Sequence, residues 1–410
     1  MRSAFRFGLY ALVHGAAVIA YLASGEYALG VFPLDDAYIH QVYAEGIAYG
    51  DGFAYNPGVP AAGITSPLWA VLLAPFHGAG GMSVFGTKIL GSLLVVLSAW
   101  LADRWMQTTS APSFGRLAGT LIALDPPLVF AGLSGMEVPL AVALILGTLL
   151  ALHHDRIRIA GVLLAAAVLT RPELALLWLV LAVHHRTHDK RAWIWAPPAI
   201  ALVLWSGWCL HAANTLLPTT FYAKHGAQGP VAQWMDAPRV LLSLGGGPVL
   251  SLVGFPLALL GAWRWKRLDV SGALPIGLAV LTLGLVWAHD VREIDFYWSR
   301  YALVARPLLL LLVVAAVASL PKRLLPVAAL ALLVSLGIAH ATAANEYAEN
   351  CRNIAELNLA AAAWIRSHSE EADWIASGDA GAMRAVGGRR VVDLVGLNDH
   401  RMLGAGRTDV

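Results

Sequence analysis

Apolar runs of near-spanning length recur along almost the whole chain, near 5–24, 83–103, 115–133, 136–152, 158–170, 172–185, 192–212, 239–263, 271–289, 300–319 and 323–342. A membrane-crossing helix needs about 20 predominantly apolar residues, so the pattern predicts an all-α polytopic membrane protein with about 11 transmembrane helices. Composition excludes a water-soluble globule. Of 410 residues 58% are hydrophobic and only 13% charged, with mean hydropathy +0.65, too little charge to cover a water-facing surface. Fifteen tryptophans fit interfacial belts, with some placed between helices. The two runs flanking Thr170-Arg171-Pro172-Glu173 are short and read as broken or tilted elements. The stretch 65–78 is shorter still and reads as a segment that dips in and returns. The first run, after Arg6, is too long for a signal-peptide core and lacks a small-residue cleavage site, so it is expected as a retained span.

Net charge is only +2, and the placement of the charges is more informative than their sum. Arg2 and Arg6, Arg104 and Arg116, Arg156 and Arg158, Arg186 with Lys190 and Arg191, Arg264 with Lys266 and Arg267, and Lys322 with Arg323 alternate with less basic loops. Placing these six clusters in the cytoplasm satisfies the positive-inside tendency. The amino terminus is then inside. The loop holding Asp35, the break at Arg171, the Leu216–Lys224 loop, the Asp290–Arg300 loop and the carboxyl-terminal tail all share the outer face.

The tail differs in kind from what precedes it. "NEYAENCRNIAELNLAAAAWIRSHSE" reads as an amphipathic helix, with Ile354, Leu357, Ala361 and Ile365 at helical spacing. "DWIASGD" and "RRVVDLVGLND" read as short strands between Gly-rich turns, so Asp379 and Asp393 fall at turns and strand ends. The expected division is a multi-span membrane domain over 1–341, with a first outer loop over 25–66, and a small outer α/β cap over 342–410. The cap is too short to be stable by itself and is expected to pack on the membrane domain. Cys209 lies in an apolar run and Cys351 in the tail, a placement that implies no disulfide framework.

The first outer loop, "VFPLDDAYIHQVYAEGIAYGDGFAYNPG", opens on two adjacent acids, Asp35 and Asp36. After them Ile39, Val42, Tyr43, Gly46 and Ile47 share one helical face, and Gly50-Asp51-Gly52 ends the segment. Such a helix suits the membrane interface, apolar side down and aromatic rings at headgroup depth. One acid can serve as an N-cap that accepts backbone N–H bonds. The other is then left to act as a base, or the two together offer hard oxygen ligands to a divalent metal. No Gly-rich nucleotide loop is apparent, and nothing in the sequence requires a cofactor.

These residues carry a resemblance. "DDAYIHQVYAEGIAYGDGFAYNPG" followed by "GITSPLW" resembles the first outer loop of GT-C-fold glycosyltransferases that use polyprenyl-phosphate sugars, and in particular the subgroup of the mycobacterial terminal arabinofuranosyltransferase. "SGMEVPL", "TRPE", "LLPTTFYAK", "SRY" and the tail segment "SGDAGAMRAVGGRRVVDLVGLND" fit the same pattern along most of the chain. The resemblance implies a GT-C-like fold and a bacterial inner (plasma) membrane location. It also implies a polyprenyl-phosphate sugar donor, a glycan or lipid acceptor, and the first acid of the pair, Asp35, as catalytic base. The chain is shorter than many such proteins and its outer tail is small.

A lipid-phosphate donor has an anionic leaving group, so fixed cations are expected near Asp35 and Asp36. Lys224, Arg300 and Arg171 are the outer-face candidates, with Arg292 in an acidic loop. Tyr222 and Tyr301 supply aromatic surface for a prenyl chain or sugar. Glu137 either orients sugar hydroxyls or merely complements a helix dipole. Each cation has a plainer reading: Lys224 and Arg300 as interfacial snorkelling residues, Arg171 as the partner of Glu173. His225 and His289 lack zinc spacing, and His153, His154, His184, His185 and His188 fall on the cytoplasmic side. A single base fits an inverting displacement. The rival function is a lipid or solute transporter, since broken helices and intramembrane charge pairs also mark that class. A noncatalytic membrane scaffold fits the polar first loop least well. No feature points to nucleic acid.

Overall fold

The computed structural model describes residues 2–78, 81–224, 242, 244–264, 277–280, 282 and 300–403. Most of the run near 271–289, together with His225, His289, Asp290, Arg292, Glu293 and Asp295, lies outside the described residues. The chain is mostly helical. Among the described residues four helices are long and apolar enough to cross a membrane: α1 (Arg2–Leu22), α4 (Val84–Met106), α10 (Ala192–Ala213) and a carboxyl-terminal rod over Lys322–His368. A fifth is gained if α5 (Gly115–Ala123) and α6 (Pro126–Leu133), which meet at a 52° bend, form one broken span.

Among the described residues the candidate spans therefore number about four, and eleven are not confirmed. Five of the runs fold as shorter helices, α7 (Val138–His153), α8 (Ile157–Thr170), α9 (Leu174–His184), α12 (Pro248–Arg264) and α13 (Arg306–Ala318), and the separate stretch 65–78 gives the short α3 (Pro67–Leu73). Between α10 and α12 lies the short α11 (Thr219–Lys224). Run length counts apolar residues and overlooks backbone breakers. Pro126-Pro127 breaks the helix inside the run read as continuous over 115–133, and Arg171-Pro172 separates the two short runs expected to be broken elements. A helix of about 14 residues is about 21 Å long, short of the roughly 30 Å hydrocarbon layer.

The breaks and helix ends are closed by buried ion pairs. At the α5–α6 bend the Asp125 carboxylate accepts three bonds from Arg306, at 2.6–3.2 Å, and Arg306 also donates to the Leu244 carbonyl at 2.7 Å. Near the end of α4, Asp103 accepts from Arg6 at 2.9 Å and Tyr10 at 2.8 Å. Lys88 is buried at the start of α4, where its ammonium donates to the carbonyls of Ala28, Leu29 and Val31. It fastens the loop after α1, which contains no regular structure to satisfy those groups.

The expected last span and amphipathic tail helix form one rod. Helix α14 (Leu325–Asn353) passes through a π turn at Ile354–Leu359 into α15 (Ala360–His368). At 1.5 Å per residue the rod is about 65 Å long, so its second half extends well past any hydrocarbon layer. Beyond it, β3 (Trp374–Ser377), α16 (Ala380–Ala385) and β4 (Arg390–Asp393) make a small β-α-β unit with parallel strands, Ile375 opposite Val391.

Helix α2 (Asp35–Tyr49) has the expected bounds and ends on Gly50 in the left-handed conformation, φ 93°. It does not lie on a lipid surface. Residues Ala37 to Ala44 and Gly46 are all buried, because α16 covers the helix on one side and α3 on another. The hairpin β1 (Ala54–Asn56) and β2 (Val59–Pro60) follows it. Asn56 then extends the cap's sheet: its side-chain amide donates to the Val391 carbonyl and accepts from the Val391 N–H, both at 2.9 Å. Tyr55 donates to Ala380 O at 2.7 Å and Tyr43 to Asn398 at 3.1 Å. First loop and tail thus pack together, around an apolar core that includes Val42, Tyr55, Ala380 and Val391.

Candidate active site

Asp35 and Asp36 occupy the first turn of α2, after Leu34 in extended conformation, and α2 has no side-chain cap of its own. Asp35 caps a different helix. Its Oδ2 accepts the Gly381 N–H at 2.7 Å and its Oδ1 the Ala382 N–H at 2.8 Å, both in the first turn of α16. Burial raises its pKa to about 6 and nearby Asp36 adds to that, against the two backbone bonds. A carboxylate has about four acceptor positions, so two N–H bonds leave Asp35 able to take another proton donor.

Asp36 points elsewhere. Its Oδ2 accepts from Arg300 Nη2 and lies 3.8 Å from Lys224 Nζ. Burial acts to raise its pKa, but these two cations override it and hold the carboxyl well below the usual range. The adjacent acids are therefore opposites: one anchored on backbone amides and titrating near neutrality, the other a fixed anion between cations.

Tyr301 is the centre of the cluster. Its hydroxyl accepts from Lys224 Nζ and from Arg300 Nη2, each at 2.8 Å. Its ring face carries the Arg300 guanidinium at 4.8 Å, Arg171 at 5.1 Å and Lys224 at 5.5 Å from the centroid, within cation–π range. Arg171, at the end of α8, donates to Glu173 Oε1 at 2.9 Å and to Glu137 Oε1 at 2.6 Å. The plain reading of Arg171 as the partner of Glu173 describes part of its contacts, and Glu137 and the Tyr301 ring supply the rest. Glu137 precedes α7 without capping it. Residues from α2, the α7 and α8 ends, α11 and the segment before α13 thus meet in one place. Tyr222 stands apart from this centre, 39% exposed and in edge contact with Phe221.

Sequence reasoning passed over His40. It lies one turn after Asp36 on α2, is 6% exposed, and holds Nε2 3.1 Å from Glu137 Oε2. The i, i+4 spacing from Asp36 was a usable signal, since such residues share a helix face. The histidines expected on the cytoplasmic side make no contact with Tyr301 or the paired acids among the bonds and ion pairs of the described residues. His153 ends α7, whose other end carries Glu137, and His188 pairs with Asp155 at 2.8 Å across the α7–α8 and α9–α10 turns. In the cap, Asp393 ends β4 and accepts the N–H groups of Val395, Gly396 and Asn398.

No group of three or more His, Cys, Asp or Glu side chains that could hold a metal ion occurs among the described residues. Asp35 and Asp36 do not form a joint ligand set, since one carboxylate is turned to α16 and the other to Arg300. Cys209 and Cys351 are buried thiols in separate apolar clusters.

Comparison with known proteins yields a family model described as a domain of unknown function (DUF8728), which matches residues 345–409, the second half of the rod and the cap. No curated protein matches the chain. Among solved structures the fold is similar to the archaeal oligosaccharyltransferase AglB from Archaeoglobus fulgidus, in complex with an inhibitory peptide and a dolichol-phosphate. The TM-score is 0.52 at 14% identity, over 93% of this chain and 64% of that one. A second structure, the Archaeoglobus fulgidus oligosaccharyltransferase with Zn and sulfate, gives 0.50 at 14% identity, over 92% of this chain and 62% of that one. The chain thus shares an oligosaccharyltransferase-like, GT-C type of fold and spans less than two thirds of either neighbour's length.

Proposed function

We propose that the chain is a membrane glycosyltransferase that moves a sugar from a polyprenyl-phosphate-linked donor to a hydroxyl of a glycan or lipid acceptor, with inversion. The observation that carries this reading is the meeting of Lys224, Arg300 and Arg171 on Tyr301, directly beside the Asp35–Asp36 pair. Lys224 and Arg300 already hold an anion, the Asp36 carboxylate, and a donor phosphate would take its place, anion for anion. Arg171 is held between Glu137 and Glu173 and orients the cluster instead of gripping the phosphate.

Asp35 takes the proton of the acceptor hydroxyl as that oxygen attacks the anomeric carbon. The bond from that carbon to the phosphate oxygen breaks on the opposite face, and the lipid phosphate leaves with both bonding electrons. Lys224 and Arg300 stabilise the negative charge that collects there. A base is most effective when its pKa lies near the working pH, and Asp35, at about 6, meets that condition while Asp36 does not. The fold supports a lipid donor, since AglB was solved with a dolichol-phosphate. The alternation of basic clusters supports a site on the outer face of a bacterial plasma membrane.

The test uses protein reconstituted in liposomes with radiolabelled undecaprenyl phosphate carrying glucose, mannose or arabinofuranose, and a cell-envelope extract as acceptor. Wild type should convert one of these donors, and Asp35→Asn should lower the rate by about a hundredfold or more. Unchanged transfer in Asp35→Asn would remove the base assignment. Labelled lipid that crosses the vesicle wall unconsumed would make the protein a transporter.

A further inference from the structure

His40 and Glu137 hold two buried polar atoms that the described residues leave unsatisfied. His40 Nδ1 has no hydrogen-bond partner, and Glu137 Oε2, although 3.1 Å from His40 Nε2, lies off the line of an ideal N–H···O bond. The two side chains are 7% and 4% exposed. Buried polar atoms without partners are rare because each costs the free energy of a lost hydrogen bond. Here they occur together, one helical turn from the carboxylate that Lys224 and Arg300 grip.

The ring's orientation gives the chemistry. With Nε2 turned to a carboxylate, the proton of the neutral imidazole belongs on Nε2, and Nδ1 is left as a bare acceptor. Its complement is a hydroxyl donor. Glu137 is itself fixed by Arg171 at 2.6 Å, so the carboxylate that faces the imidazole is held in place by that bond and not by packing alone.

We propose that Glu137 and His40 form a carboxylate–imidazole pair whose Nδ1 accepts a hydrogen bond from a ring hydroxyl of the lipid-linked sugar. The inference rests on the donor reading above, which seats the phosphate at Lys224 and Arg300, where Asp36 lies one helical turn along α2 from His40. His40 is then a sugar-recognition residue, and Glu137 positions it.

Two substitutions separate this role from a structural one. His40→Asn keeps an acceptor near the place of Nδ1 but cannot reach Glu137, whereas His40→Gln keeps the contact of Nε2 and gives up Nδ1. Binding to detergent-solubilised full-length protein is measured with undecaprenyl phosphate, and with the same lipid carrying glucose, mannose or arabinofuranose. Wild type should bind one sugar-bearing lipid more tightly than bare undecaprenyl phosphate. His40→Gln should lose about fivefold toward that lipid, the weight of one hydrogen bond, with bare lipid unchanged. His40→Asn should stay within about twofold of wild type. Recovery by His40→Gln and not by His40→Asn would overturn the proposal, as would equal wild-type affinity for bare and sugar-bearing lipid. If wild type fails to bind bare undecaprenyl phosphate, it is the phosphate site at Lys224 and Arg300 that falls.

Discussion

Two neighbouring aspartates with the same intrinsic chemistry acquire different properties from residues far away in sequence. Asp36 meets Arg300, 264 positions on, and Asp35 meets the amides of Gly381 and Ala382, 346 and 347 positions on. This division was hidden in the sequence, where only the presence of a paired acid at a helix start could be read. The cations were legible by type and by loop, because sorting basic clusters to one side leaves few arginines and lysines on the other. Their sharing of Tyr301 was not legible, since no local pattern encodes a contact between α11 and the segment before α13. A pH profile tests the difference between the acids. Asp35 has a pKa raised to about 6 and acts only when ionised, so kcat/KM should rise with pH through about 6 and level off above it. Asp36, held well below the usual carboxylate range, stays ionised throughout and adds no limb there. A profile flat from pH 5 to 8 would exclude Asp35 as the titrating base.

At the scale of elements, the first loop and the tail are joined where backbones approach most closely. A Cβ on Gly381 would lie 2.1 Å from the Asp35 carbonyl oxygen, and one on Gly63 would lie 2.4 Å from Asn398 Oδ1. Only glycine permits either approach, and the cap's amides reach Asp35 because Gly381 has no side chain. Gly381→Ala should therefore separate α16 from α2 and expose Arg384, which normally donates to the Tyr55 carbonyl at 3.1 Å. Trypsin should then cut the tail of the full-length protein several-fold faster than in wild type, with the membrane helices still intact. An unchanged digestion rate would mean that the close approach at Gly381 is not needed and that the cap's other contacts, Asn56–Val391 and Tyr43–Asn398 among them, hold it. The tail's secondary structure was readable from period and turn residues, since both are local. The burial of α2 was not, because an apolar helix face covered by lipid and one covered by protein have the same sequence pattern.

Across the whole molecule, the breaks in the apolar runs coincide with buried charges. A helix that ends inside a nonpolar layer leaves backbone groups that need partners, and Lys88 and Arg306 donate to such carbonyls, in the loop after α1 and at Leu244. Arg171 follows the end of α8, Glu137 precedes α7 and Asp125 lies in the α5–α6 bend, and these three pair with other side chains. Some of these stops make staples, such as Asp125 with Arg306, and those beside α2 make the polar site. Among the described residues, counting apolar residues thus gives more full spans than the helices long enough to make them. The two polar ends of the bundle should consequently face opposite compartments. Cys209 and Cys351 are buried and should stay silent to a membrane-impermeant maleimide, so single cysteines can report the sides. Ala372→Cys, on the exposed turn after the rod, should label in intact cells. Asp189→Cys, in the exposed α9–α10 turn, should label only after the membrane is opened. Both positions labelling from the outside would break the link between the basic clusters and the inner face, and with it the placement of Asp35, Lys224 and Arg300 outside the cell. The internal contacts of the site would survive that result, but the compartment from which it draws its acceptor would be reversed.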